Sequence, residues 1–275
     1  MQRTVLMGVA FLLLVPLATS EAQYRDDGNN TRRINTRYPG ARPESLAPPP
    51  RMLVHTPTAS TLPKGHFDVS VLVFGDGGVL AGTSIGLSDR FQLGVIYGAE
   101  SLLGESSPTW NPRVGFRLKL QLIDEKFRLP AIAFGYDDQG YGAYIDASNR
   151  YTIKSKGLYA VISKNFYTLN VATGFHGGIN KSFEEDDNDK DPDIFFGWDF
   201  HYNHDVSVLV DYSVALNDNN KSSPVGKGRG YLNLGIRWEY AKNLILEAQI
   251  TNIMKNKKGV AYMGREFRMV YLEEF

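Results

Sequence analysis

The stretch "GYLNLGIRWEYAKNLILEAQI", Gly230 to Ile250, decides how this chain folds. Leu232, Leu234, Ile236, Trp238 and Tyr240 take every second position, with Asn233, Gly235, Arg237 and Glu239 between them. After a break at 241–243 the pattern resumes: Leu244, Leu246, Ala248 and Ile250 alternate with Ile245, Glu247 and Gln249. Successive side chains of a strand point to opposite faces, so this is a strand pair with one apolar and one mixed face. Which of the two faces meets a protein core has to come from the rest of the chain.

The same period runs outward in both directions. "HFDVSVLVF" (66–74), "VLAGTSIGL" (79–87), "RFQLGVIYG" (90–98), "RVGFRLKLQL" (113–122) and "LPAIAFGY" (129–136) come before it. So do "KGLYAVIS" (156–163), "YTLNVATGFH" (167–176), "IFFGWDFHY" (194–202) and "VSVLVDYSVAL" (206–216), and "REFRMVYLEEF" (265–275) ends the chain. That is about a dozen strands, and no helical period of comparable length competes with them. Their connections alternate in length. Short turns at 88–90, 123–126, 164–165, 203–205 and 241–243 interleave with long, polar links, and only "GDGG" at 75–78 is short where a long link is due. Short turns at one end and long loops at the other are the habit of an outer-membrane barrel, with the turns periplasmic.

Alternation alone does not distinguish a lipid-facing apolar set from the inward set of a soluble, lipocalin-like barrel. Three observations favour lipid. The non-apolar set is built from glycine and small polar residues (Ser70, Ser84, Gly94, Gly115, Asn170, Gly197, Ser207) with scattered charges, unlike a soluble exterior. A ring of about twelve strands is too wide for its own side chains to fill with a dry core. Aromatic residues gather toward strand ends (Phe67, Phe91 and Tyr97, Phe200 and Tyr202, Trp238 and Tyr240), as in interfacial girdles. The expectation is an all-β, transmembrane, antiparallel up-and-down barrel of about twelve strands in a bacterial outer membrane, closed because hydrocarbon offers no partner to an edge strand.

Composition agrees. The 275 residues carry 30 basic and 30 acidic side chains, so nothing argues for a nucleic-acid partner, and 15 Tyr, 15 Phe and 27 Gly suit a turn-rich β protein. "MQRTVLMGVAFLLLVPLATSEAQ" at the start has a positive Arg3, an apolar run from Val5 to Leu17 and small residues at Ser20 and Ala22. It reads as a signal peptide over 1–22. Residues 23–64 are polar and Pro-rich and read as an extended periplasmic segment ahead of a barrel at 65–275, with entry of the segment into the lumen left open. Cysteine is absent, which excludes disulfides, thiolate chemistry and a lipid-attachment cysteine.

The inferred lumen face carries charges of both signs: Arg113, Arg117 and Lys119; Asp199 and His201; Asp211; Arg237 and Glu239; Glu247; Glu266 and Arg268. A basic ladder facing acidic residues sets the selectivity of an aqueous pore or binds an anionic sugar. Equally, such charges pair across the lumen and satisfy one another. "FEEDDNDKDPD" (183–193) reads as a solvated loop, since Pro192 and Trp198 break the spacing of a calcium loop. "GKGRG" (226–230) leads into a strand and reads as a flexible loop, and the histidines lack metal-site spacing, so no cofactor or metal is expected. A barrel hydrolase would need a nucleophile, a base and an orienting group: His176 or His201 with Asp199, and Ser163 or Ser213, are available, but nothing in the sequence places them together. The chain is therefore read as non-enzymatic.

"LPAIAFGYDDQGYGAY", "KGLYAVISKNF" and "TGFHGG" resemble the YjbH-like outer-membrane proteins associated with exopolysaccharide production. Pro130, Ala131, Ile132, Ala133, Gly135, Gly140, Gly142, Tyr159, Ser163, Lys164 and Phe166 carry the likeness, over roughly 100 residues. It implies an outer-membrane barrel linked to surface polysaccharide and transfers no catalytic residue. The end of the chain, with Phe267, Met269 and Tyr271 alternating toward Phe275, resembles the signal read by the barrel assembly machinery, apart from Glu273 at a usually apolar place. The expected function is a passive channel or envelope component. The alternative is a closed structural barrel that binds a partner through its long loops.

Overall fold

A computed structural model describes residues 49–168, 171–202, 205–220 and 223–275. The expected signal peptide, residues 23–48 of the Pro-rich segment, Asn170 and His204 lie outside these. The strands are β1 (His66–Phe74), β2 (Gly78–Ser88), β3 (Phe91–Glu100), β4 (Thr109–Trp110), β5 (Gly115–Ile123), β6 (Ala131–Asp137), β7 (Tyr141–Ile145) and β8 (Arg150–Ile153). They continue with β9 (Gly157–Thr168), β10 (Val171–Lys181), β11 (Asp193–His201), β12 (Val206–Ser213), β13 (Tyr231–Ala241), β14 (Leu244–Thr251) and β15 (Gly264–Glu274).

Twelve of these strands, all but β4, β7 and β8, form one closed antiparallel ring among the described residues. Each pairs with its neighbours in sequence around the ring, and β1 closes it by pairing with β15, Phe67 opposite Glu273 and Val73 opposite Phe267. The ring's inner and outer faces follow the alternation. On β13 and β14, Ile236, Trp238, Tyr240 and Ile250 are exposed outward, while Asn233, Arg237, Glu247 and Gln249 are buried inside. On β5, Phe116, Leu118, Leu120 and Leu122 face out, against Lys119, which is 4% exposed. A closed sheet with an apolar exterior and a polar interior belongs in a bilayer, so the protein is a bacterial outer-membrane barrel. No helix among the described residues is long and apolar enough to cross a membrane.

Two details of the connections differ from the expected ones. No turn forms at 164–165: β9 runs on to Thr168, which pairs with Val171. Lys164 and Asn165 stay in β9 because Glu125 holds both: Lys164 Nζ is 3.0 Å from its carboxylate, and the Asn165 amide donates to it at 2.8 Å. At the opposite end the loop 138–156 folds into the β7–β8 hairpin.

That loop end is not the solvated fringe the sequence suggested. Arg150, with no exposed surface, bridges Asp187 at 2.5 Å and Asp218 at 2.8 Å, and Lys154 reaches Asp187 at 2.8 Å. Glu184 accepts the backbone amides of Tyr151 and Ser155. The acidic 183–193 stretch is therefore drawn inward by two cations from the neighbouring hairpin. "GKGRG" is likewise pinned, since the amides of Lys227 and Arg229 both donate to Asn256 Oδ1. Together these loops are bonded to one another at the long-loop end of the ring.

Candidate functional site

Residues 49–62 run inside the ring, which decides the point the sequence left open and corrects the periplasmic placement for this part of the segment; Pro63 and Lys64 emerge exposed. A tight hairpin forms over 51–58: Leu53 donates to the Thr56 carbonyl at 2.9 Å, and Met52 bridges to Pro57. Leu53, Val54, Ala59 and Leu62 are essentially inaccessible. Pro49 and Pro63, at the two ends of the segment, line the same pocket at the short-turn end, beside Asp89 and Glu125.

A segment with no partner strand must satisfy its backbone groups elsewhere. Here charged side chains of the wall do so from all sides. Arg268 of β15 donates to the carbonyls of Leu53 at 3.0 Å and Val54 at 2.7 Å. Arg237 of β13 donates to the Met52 carbonyl at 3.1 Å. Lys119 of β5 donates to the carbonyls of Arg51 and Ser60 at 2.8 and 3.1 Å. Asp211 of β12 accepts the amides of His55 and Thr56 at 2.7 and 3.0 Å. Gln92 of β3 accepts the Leu62 amide, and Ser163 of β9 accepts that of Ala59 at 2.8 Å. The His55 ring stacks on Tyr141 with centroids 3.8 Å apart and meets Glu266 at 2.8 Å.

The small residues of the wall make room for this segment. A β-carbon on Gly197 would lie 2.1 Å from Leu53 Cδ1, and one on Gly235 would lie 3.2 Å from Val54 Cγ2. A twelve-stranded ring is too wide to fill from its own wall, and the inserted segment supplies the missing core.

Of the lumen charges read from the sequence, Arg117, Lys119, Asp199, His201, Asp211, Arg237, Glu247, Glu266 and Arg268 do face inward. They are engaged with each other or with the segment: Arg117 with Asp137 at 3.0 Å, Arg237 with Glu247 at 2.6 Å, Arg268 with Glu247 at 3.0 Å. Glu239 is half-buried at the turn end, where it lines a cavity of about 340 Å³ with Arg117, Lys119 and Arg268. Arg113 is the correction. It precedes β5, its side chain is more than half exposed, and it sits 3.9 Å from Asp138 at the loop end instead of on the lumen wall.

At the loop end, proton affinities follow from the same packing. Burial pushes the Asp187 carboxyl up, but the Lys154 ammonium, the Asp189 amide and Arg150 outweigh it and hold it below its usual value. Burial of Glu184 prevails over its hydrogen bonds and raises it.

The histidines form a second feature that the sequence could name but not assemble. Ser163 and His176 are direct partners across β9 and β10. Ser163 Oγ lies 2.7 Å from His176 Nδ1, and His176 Nε2 lies 2.6 Å from Asp199 Oδ1. The other Asp199 oxygen is 3.1 Å from His201 Nε2, whose Nδ1 meets Ser207 at 2.8 Å. Ser213 lies elsewhere, against Asp193.

No protein-family profile matches the chain, and no characterised protein of similar sequence was found. Solved structures of similar shape include the KdgM porin, at 11% identity and a TM-score of 0.44, covering 76% of this chain and 99% of that one. The NanC porin is similar at 10% identity and a TM-score of 0.44, with the same coverage. Omp33 of Acinetobacter baumannii is similar at 9% identity and a TM-score of 0.41, covering 77% of this chain and 99% of that one.

Proposed function

We propose that this barrel is a plugged outer-membrane channel, in which residues 49–62 obstruct the lumen and passage requires their withdrawal. The supporting observation is the way the segment is held: its backbone is bonded by Lys119, Asp211, Arg237 and Arg268, whose charges would otherwise line an aqueous path. Hydrogen bonds to charged groups are each worth about 1.5–3 kcal/mol, so the set holds the segment firmly yet reversibly. The cargo we assign is surface polysaccharide, supported by the resemblance carried between Leu129 and Gly178. The barrel assembly machinery is the partner we assign to β15, whose outward Phe267, Met269 and Tyr271 are exposed ahead of Phe275.

The test is conductance of the folded full chain and of a variant lacking residues 51–60 in planar bilayers. The full chain should be silent or open rarely, and the deletion should give steady discrete steps. Equal conductance from the two proteins would overturn the plug. Silence from both would favour the closed barrel, with its partners at the loop cap.

A further inference from the structure

We propose that Ser163, His176 and Asp199 form an acyl-transfer site in the barrel wall, with Ser163 as nucleophile toward short-chain esters of sugar-like alcohols. Three observations carry this. The first is the relay itself: a serine hydroxyl, both nitrogens of one imidazole and a carboxylate in a line of 2.7 and 2.6 Å contacts. With Nε2–H donated to Asp199, Nδ1 is left as the acceptor of the Ser163 proton, which is the tautomer a general base needs.

The second is the room made for it. A β-carbon at Gly174 would fall 2.4 Å from Asp199 Oδ1 and 2.9 Å from His176 Nε2, so only glycine lets the two meet. A second histidine, His201, holds the far oxygen of Asp199 and fixes the carboxylate.

The third is a cavity beside the nucleophile. Ser163, itself 1% exposed under the inserted segment, borders a pocket of about 340 Å³ at the short-turn end, with Thr61, Gln121, Glu125 and Asn165. These polar groups, with the Glu125 carboxylate already paired to Lys164, suit the hydroxyls of a saccharide. Ala131 and the two prolines are the apolar lining, which leaves space for a short acyl chain only.

In the reaction, Ser163 Oγ attacks the ester carbonyl while its proton passes to His176 Nδ1. The alkoxide leaves with that proton, and the acyl group stays on Oγ. Water, deprotonated by His176, then releases the acid and restores the serine. The Ala59 amide, now donating to Oγ, ties this nucleophile to the inserted segment, so displacing the segment should free the hydroxyl for attack.

The experiment uses the folded full chain, the protein lacking 51–60, and the variants S163A and H176Q. Each is treated with a fluorophosphonate and with p-nitrophenyl acetate, and folding is verified by a heat-dependent shift on gels. The expected result is one covalent adduct, mapped by peptide mass to Ser163, absent after heat denaturation and in S163A. H176Q should slow labelling by about 100-fold or more. Deleting 51–60 should speed labelling of Ser163. Folded wild type and folded deletion that both resist labelling, or an adduct indifferent to H176Q, would overturn the site. Neither readout depends on whether the lumen conducts.

Discussion

Arg268 makes three contacts at once, to the carbonyls of Leu53 and Val54 and to Glu247, while 8% exposed. Removing such a group leaves buried acceptors unpaired, which costs about 3–5 kcal/mol, whereas a lysine keeps the charge but loses the fork. R268M should therefore lower the urea midpoint of the folded barrel and expose residues 49–62 to protease, with R268K intermediate. Protease resistance of that segment unchanged in R268M would sink its role as an anchor. Asp187 allows a pH prediction at the same scale. Its folded affinity for protons is depressed, so its contribution is present above the ordinary carboxylate value and is lost as pH falls through the folded one. Glu184 is raised and acts in reverse, weakening the cap as pH climbs through its window. Protection of the amides over 141–156, taken relative to intrinsic exchange at each pH, should thus fall as Asp187 gains its proton below the ordinary carboxylate range, and D187N should show the lowered protection already at neutral pH.

Among the elements, the inserted hairpin and the wall that receives it were unequally legible. The period-two pattern on Leu232 to Tyr240 gave the strands and the outward face of β13, because a strand's faces are a local property. The glycines and serines of the inner face were equally visible, but their reason was not. Gly197 is small because Leu53 lies against it, and that contact joins positions far apart in the chain. The bond from Arg268 to Leu53 spans 215 positions, which no local pattern encodes. Ser163 and His176 were likewise readable as residue types, while the register of β9 on β10 that makes them partners was displaced by the turn placed too early, at 164–165. Filling the Gly197 notch tests the fit directly. G197L should displace the Leu53 side chain and raise open-channel events several-fold over wild type, with the ring itself intact by circular dichroism. A silent, protease-resistant G197L would show that the segment does not depend on that notch.

The whole molecule is a ring whose outer belt meets hydrocarbon, and this makes its exterior intolerant in a way no soluble barrel's would be. An arginine at the bilayer midplane costs about 2–4 kcal/mol, falling toward zero near the interfaces. I236R, at an outward position 53% exposed, should lower the folding free energy in lipid vesicles by that order, while its effect in a detergent that remodels around the charge should be smaller. If I236R folds as tightly in vesicles as wild type, the outer face of β13 does not meet lipid. Closure predicts a second property. With no free strand edge in the ring, the native protein should run compactly on gels in cold dodecyl sulfate and shift only on boiling, and removal of residues 264–275 should abolish the compact form.

The inserted segment begins and ends at the same mouth of the ring, Pro49 and Pro63 sharing one pocket there. It is a finger pushed into a ring, not a thread drawn through it. Taking it out needs no parted strands. The Leu272 and Phe275 amides can keep their bonds to Asn243 and Gly65 throughout. Each cycle of opening would then leave the strand-to-strand hydrogen bonds of the ring untouched, so exchange of amide protons over 51–62 should follow the rate of opening, while the twelve strands stay protected at every stage of the cycle.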